Sequence, residues 1–302
     1  MSDTIALHTQ GLTKHYGSVA ALVDLDLDVR PGEVFGFLGP NGAGKTTTIR
    51  TVMDEIRPTS GSASILGMDC HRQSVEIRRH IGYLPSDLAL YPNLTGRDTL
   101  TYFANLRGGV DWSLVDSLAD RLDADLSRKV GDLSSGNRQK IGVIQAFMNR
   151  PRLLIMDEPS TGLDPLIQRE LQTMMRETAA GGGSVFLSSH TLSEVQRVAD
   201  RVGIIRSGEL IALESVASLR SKALRRVELE LGSPVDASVL TPVPGVRDVV
   251  VENHRASLSY QGRMDALLKA LAEKYDVVDI STHEADLEEI FLRYYHDEDV
   301  TA

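Results

Sequence analysis

A single cysteine, Cys70, stands in a chain of 302 residues, which excludes an internal disulfide framework and fits a reducing compartment. With no second cysteine to make a metal pair, Cys70 beside Asp69 and His71 reads as incidental. No apolar run reaches the roughly 18 residues that span a bilayer. The start, "MSDTIALHTQ", also lacks the charged head and apolar core of an export signal. Any membrane role is therefore expected to come through a partner, without direct insertion. Positive charge is in deficit: 32 Lys and Arg against 42 Asp and Glu leave a formal net charge of −10. That balance argues against a nucleic-acid partner, which normally meets a basic stripe. No internal repeat and no low-complexity tract is found.

What the chain has is length for one large domain and a smaller one. "EVFGFLG", Glu33 to Gly39, is an apolar strand running straight into a glycine-rich loop, and helix-compatible sequence then continues to Ile56 before Pro58 and Gly61 stop it. Two more apolar runs, "RLLIMDEP" (Arg152 to Pro159) and "GSVFLSSH" (ending at His190), read as buried parallel strands with polar residues at their carboxyl ends. That is where open α/β sheets bind ligands. Leu166 to Thr178 between them reads as a helix, and residues 88–150 read as a mostly helical insertion. From about Leu219 the texture changes. "RRVELEL", "VRDVVVEN" and "ASLSY" read as short strands, "MDALLKALAEKY" as a helix, "DVVDIST" as a strand and "ADLEEIFLRYY" as a last helix. The expected fold is α/β, with a large domain over 1–220, its helical part at 88–150, and a small α+β domain over 221–302. The basic run "LRSKALRR", Leu219 to Arg226, reads as a solvated linker.

Gly39, Gly42 and Gly44 with Lys45 and Thr46 satisfy G-x-x-x-x-G-K-[ST] between a strand and a helix, the context that motif needs. The glycines let the backbone curl round phosphate oxygens, Lys45 neutralises their charge, and the Thr46 hydroxyl is a ligand for Mg²⁺. Asp157, closing an apolar strand, is the expected outer ligand of that metal. Glu158 beside it is a candidate base for an attacking water, a role worth about 10²–10⁴-fold in rate. "LSSGNRQK", Leu133 to Lys140, looks like a second phosphate loop, with hydroxyls and a glycine entering a helix.

Taken in order, these stretches resemble the ABC-type ATPase subunits, and the resemblance runs from residue 5 to about 220. It implies a P-loop ABC ATPase core using ATP and Mg²⁺. Tyr16 in "KHYG" falls where that family stacks an aromatic ring on adenine. Gly39, Asn41, Gly42, Ala43, Gly44, Lys45, Thr46 and Thr47 match the phosphate loop, and "LSSGNRQ" resembles the signature, normally Leu-Ser-Gly-Gly-Gln. Asp157 and Glu158 match the metal-binding and catalytic acids. Asp164 closes "STGLD", the loop that faces the other subunit, and His190 matches the switch histidine. The resemblance also accounts for two phosphate sites in one chain. The family pairs two cassettes head to tail, each ATP lying between one subunit's phosphate loop and the signature of the other. By resemblance, Ser134, Ser135 and Gly136 therefore contact the second copy's γ-phosphate.

Two departures stand out. Ser135 and Asn137 replace a glycine and a glutamine of the signature with residues of small size or amide chemistry. In "IGYLPSDLALYP", Ser86 stands where the family has a glutamine reaching Mg²⁺ and the attacking water; its hydroxyl is too short to reach as glutamine does without an intervening water. Asp87 next to it either substitutes as an outer-sphere partner of the metal or belongs to a plain loop. The "YLPSD…NLTG" region and the C-terminal α+β part resemble, within the family, the ATPases of daunorubicin-resistance-type bacterial drug and antibiotic exporters. That implies a separately encoded multispan permease as partner and a place at the cytoplasmic face of the membrane. The alternatives are a soluble regulatory or repair ATPase, and a degenerate ATPase that uses ATP only as a clamp; intact Glu158 and His190 count against the latter.

Overall fold

The computed structural model describes residues 4–222, 225–262 and 264–283. These fall in two compact units, Met1–Leu213 and Glu214–Ala302.

The first unit begins with a hairpin. β1 (Leu7–Tyr16) pairs antiparallel with β2 (Val19–Val29), where "VDLDLDV" alternates so that Leu25, Leu27 and Val29 are buried and Asp24, Asp26 and Asp28 face water. β3 (Val34–Leu38) is buried at every position and leads through the glycine loop into α1 (Lys45–Val52). This helix ends four residues before Ile56, earlier than its composition suggests. Asp54 takes a left-handed conformation, φ 57°, so the Glu55 and Ile56 amides turn back onto the Arg50 carbonyl and close the helix. β4 (Ser60–Ile65) and β5 (Met68–Asp69) extend the hairpin into an antiparallel sheet of order β2-β1-β4-β5.

Next come α2 (Ser74–His80) and β6 (Ile81–Leu84). Three helices follow, α3 (Gly96–Leu106), α4 (Trp112–Arg121) and α5 (Ser135–Phe147). Each starts at a side-chain cap: Thr95 in a full capping box with Asp98, then Asp111, then Ser134. α5 packs on β6 as well as on α3 and α4. β7 (Leu153–Asp157), α6 (Pro165–Ala180), β8 (Ser184–Ser189), α7 (Leu192–Val198), β9 (Arg201–Arg206) and β10 (Glu209–Ser215) complete a six-stranded sheet of order β10-β9-β3-β8-β7-β6. Because β6, β7, β8, β3 and β9 pair in parallel, the carboxyl ends of these strands share one edge of the sheet. The core joins the two sheets: Phe35 and Phe186 stack with centroids 5.9 Å apart, in one cluster with Leu7, Leu25, Ile49 and Ile155.

In the second unit, α8 (Val216–Lys222) is followed by β11 (Arg225–Leu231), α9 (Ala237–Leu240), β12 (Val246–Glu252), β13 (Arg255–Tyr260), α10 (Met264–Ala272) and β14 (Val277–His283). The sheet order β12-β13-β11-β14 with a β-α-β-β-α-β succession is that of a ferredoxin-like unit. Val227, Leu229, Leu258, Tyr260, Leu267 and Leu271 form its core. The linker expectation for Leu219–Arg226 is corrected where the run is described: residues 219–222 end α8 and residues 225–226 start β11. Val216 and Leu219, three apart on one helix face, are both buried. The helix expected over 285–295 lies outside the described residues.

Candidate active site

Four strand ends meet at one edge. β3 delivers the phosphate loop, β7 Asp157 and Glu158, β8 His190, and β6 the Ser86–Asp87 turn. Gly42 and Gly44 take φ of 80° and 112°, conformations a side chain strongly disfavours. They turn the loop so that the amides of Gly42, Gly44, Lys45 and Thr46 bond no acceptor among the described residues, a cradle of positive partial charge at the start of α1. Ala43 anchors the loop by accepting the Gly208 amide at 2.9 Å. Within the cradle the buried Lys45 bends back, donating to the carbonyls of Gly39 at 2.5 Å and Pro40 at 3.1 Å.

The acids are held tightly. Thr46 Oγ1 donates to Asp157 Oδ2 at 2.9 Å, and the Ser188 hydroxyl donates to Asp157 Oδ1. Glu158 has a left-handed backbone, φ 50°. Its carboxylate lies between Lys45 Nζ, 3.3 Å from Oε1, and His190 Nδ1, 2.7 Å from Oε2. Oε1 is buried and, despite the nearby cation, accepts no hydrogen bond. An orphaned carboxylate oxygen, four free amides and a folded-back lysine form a set that fits a nucleoside triphosphate, whose phosphates would take the lysine and amides. Thr46 and Asp157 offer a divalent cation a hydroxyl and a carboxylate, hard oxygen donors of the kind Mg²⁺ prefers.

Tyr16 ends β1, 49% exposed as a residue, with Lys14 Nζ 5.1 Å from its ring centroid. β2 passes close to the phosphate loop, since a Cβ on Gly44 would lie 2.8 Å from the Ala21 carbonyl. Ser86 and Asp87 are exposed and share a cleft of about 640 Å³ with Thr46. In its wall, burial first, then the charges of Glu55 and Asp157, push the Tyr83 hydroxyl well above its usual range, keeping it protonated.

Ser134, Ser135, Gly136 and Asp164 form a second locus, and no hydrogen bond or ion pair joins them to the phosphate loop among the described residues. Ser134 caps α5, accepting from the Asn137 amide at 3.3 Å. Asp164 caps α6, its Oδ1 accepting from the amides of Leu166 and Ile167 at 3.0 and 3.1 Å. The loci are tied together behind the acids: Gln139 Nε2 donates to the Pro159 carbonyl at 3.1 Å. Gly136 lies so close to the loop before Asp164 that a Cβ on it would be 2.4 Å from the Gly162 carbonyl oxygen. Sequence reasoning did not single out Ser188 or Gln139. The signal for Ser188 is a hydroxyl where an apolar strand passes the acidic pair.

A glycine cradle after β3 with an invading lysine, and two acids at the end of β7, one strand removed across β8, define a P-loop nucleoside triphosphatase. Residues 22–161 match the ABC transporter family. The chain is 34% identical to the bacitracin transport ATP-binding protein BcrA of Bacillus licheniformis, covering 95% of this chain and 96% of that one. It is also 34% identical to the daunorubicin resistance ATP-binding protein DrrA3 of Streptomyces coeruleorubidus, over 99% and 98% of the two chains. A solved ATP-binding subunit of an ABC transporter superposes with a TM-score of 0.66 at 32% identity, covering 71% of this chain and 92% of that one. The chain belongs to the ATP-binding proteins of the ABC transporter family and is an ATPase of that family.

Proposed function

We propose that this chain is the ATP-hydrolysing subunit of a bacterial exporter, working as two copies head to tail around two MgATP and driving a drug, antibiotic or lipid-like substrate through a separate permease. The observation that carries this reading is the split site. Lys45, Asp157, Glu158 and His190 converge at one locus while Ser134, Ser135 and Gly136 stand at another without a bond to it. A second copy would complete each half. Relatives named for bacitracin transport and daunorubicin resistance, matched over nearly their whole length, favour transport over a soluble regulatory or repair role.

In this reading Tyr16 stacks on adenine, and the amides of Gly42, Gly44, Lys45 and Thr46 with the Lys45 ammonium hold the phosphates. Thr46 and Asp157 would hold Mg²⁺, which would supply neutralisation of phosphate charge. Glu158 takes a proton from water, and His190, bonded to its Oε2, holds it in line. Binding ATP draws Lys45 off the Gly39 and Pro40 carbonyls and off Glu158, freeing the carboxylate for water. No helix among the described residues is long and apolar enough to cross a membrane; in this reading the chain sits at the cytoplasmic face through its permease, as the relatives named for transport favour. The 640 Å³ cleft, rimmed by exposed Val75 and Leu106 and lined by Pro85–Leu90, is the docking surface for that partner.

The test is light scattering of the Glu158→Gln chain with and without MgATP. The expected result is a dimer with MgATP and a monomer without it. A chain that stays monomeric in excess MgATP removes the shared site.

A further inference from the structure

Asp157 and Ser188 occupy paired positions on the parallel neighbours β7 and β8, so their side chains leave the sheet on one face. Both are shut off from solvent, at 1% and 0% exposure. The Ser188 hydroxyl spends its one proton on Asp157 Oδ1, which leaves Oδ2 as the oxygen turned to Thr46 Oγ1 at 2.9 Å. The same hydroxyl accepts the Glu158 amide at 3.2 Å, sharing it with the Ser188 carbonyl oxygen, also at 3.2 Å. Glu158 is the residue in the left-handed region, a conformation that persists only where its surroundings fix it. One buried oxygen therefore touches both acids, each at the feature its task needs: the choice of carboxylate oxygen in Asp157 and the backbone turn in Glu158.

The loop opposite offers no substitute. Ser86 and Asp87 are exposed, and neither bonds Thr46 or Asp157 among the described residues. With a serine where the family's glutamine would reach the metal, the aim of Asp157 matters more.

The geometry points to Ser188 as a positioning residue for both acids, its single hydroxyl aiming Asp157 Oδ2 at Thr46 and, together with the Ser188 carbonyl, holding the turn that carries the Glu158 carboxylate to Lys45 and His190. This rests on the ATPase reading of the site. Ser188 is closed off from solvent and acts through its two neighbours. A buried serine that only fills space would tolerate alanine with no change in metal binding.

The experiment compares Ser188→Ala, Ser188→Thr, Ser188→Cys and Ser189→Ala in the full chain. Ser189 is the control, a neighbouring hydroxyl that bonds Glu194 instead, at 2.9 Å. Three quantities are read: Mn²⁺ affinity in the presence of ATP by electron paramagnetic resonance, binding of a fluorescent ATP analogue in chelator, and kcat against KM for MgATP. Alanine is expected to lower Mn²⁺ affinity and kcat by about tenfold or more, the usual cost of losing a partner behind a metal ligand, with metal-free nucleotide binding unchanged. Cysteine, of similar size but a weak donor, follows alanine, whereas threonine restores both quantities and Ser189→Ala keeps them. Wild-type Mn²⁺ affinity and kcat in the alanine or cysteine variant overturns the assignment, as does equal loss in alanine and threonine, which marks a packing role. If the unaltered chain binds no Mn²⁺ with ATP, the underlying reading of the site falls instead.

Discussion

Gly136→Ala isolates the contact between the signature helix and the loop before Asp164. The alanine Cβ would stand 2.4 Å from the Gly162 carbonyl oxygen, where a carbon and a carbonyl oxygen settle at about 3.3 Å. One side must retreat by about 0.9 Å, the difference between those two distances. Two other effects can be set aside. The backbone at Gly136 is not in the left-handed region, and helix propensity favours alanine over glycine by up to about 1 kcal/mol. A loss therefore comes from displacement of Ser134 and Ser135 or of Asp164, and a misplacement near 1 Å costs about 10²-fold in rate. The phosphate loop of the same chain is not touched. Phosphate release should fall by about 10²-fold, while equilibrium binding of a fluorescent ATP analogue stays at the wild-type value. Wild-type turnover in the variant would refute the contact's role, and joint loss of ATP binding and turnover would refute the separation of the two loci.

Three more outcomes are expected. Asp87→Ala should lower hydrolysis more than ATP binding, and equal ATPase rates in variant and wild type remove Asp87 from the mechanism. Asp164→Ala takes the cap from α6, whose loss typically costs about 1 kcal/mol; a calorimetric midpoint unchanged from wild type would show that the two amides find other acceptors. Cys70 is buried and its thiol is pushed up to about 12, by burial first and then by Asp69 and Asp54. At pH 8 it should resist a thiol reagent until the chain unfolds, and equal labelling rates in native and unfolded protein would contradict that burial.

The chemistry was more legible in the residues than the architecture. The strands that deliver it are short unbroken apolar runs ending in polar groups, so β3, β7 and β8 could be read to within a residue or two. α6, expected over Leu166–Thr178, gained its first residue from Pro165 at the position after the Asp164 cap. The antiparallel sheet was not read. β1 pairs through repeated register shifts that blur its period, and β4, "SGSASI", carries little hydrophobic signal. For β2 the signal was present, in the Leu–Asp alternation of "VDLDLDV". α1 ends early because of a left-handed turn at Asp54, which residue preferences do not announce. Ser188 escaped notice for a related reason. A serine in a strand has no role until a neighbouring strand brings the Asp157 carboxylate and the Glu158 amide beside it, and that pairing exists only in the fold.

Transport coupling is tested most directly by purifying the tagged Glu158→Gln chain with MgATP from its native cells in mild detergent and identifying what accompanies it. The expected companion is a multispan membrane protein in copy number equal to the chain. A soluble companion, or none, would contradict the exporter reading and leave an ABC-family ATPase that does its work away from the membrane.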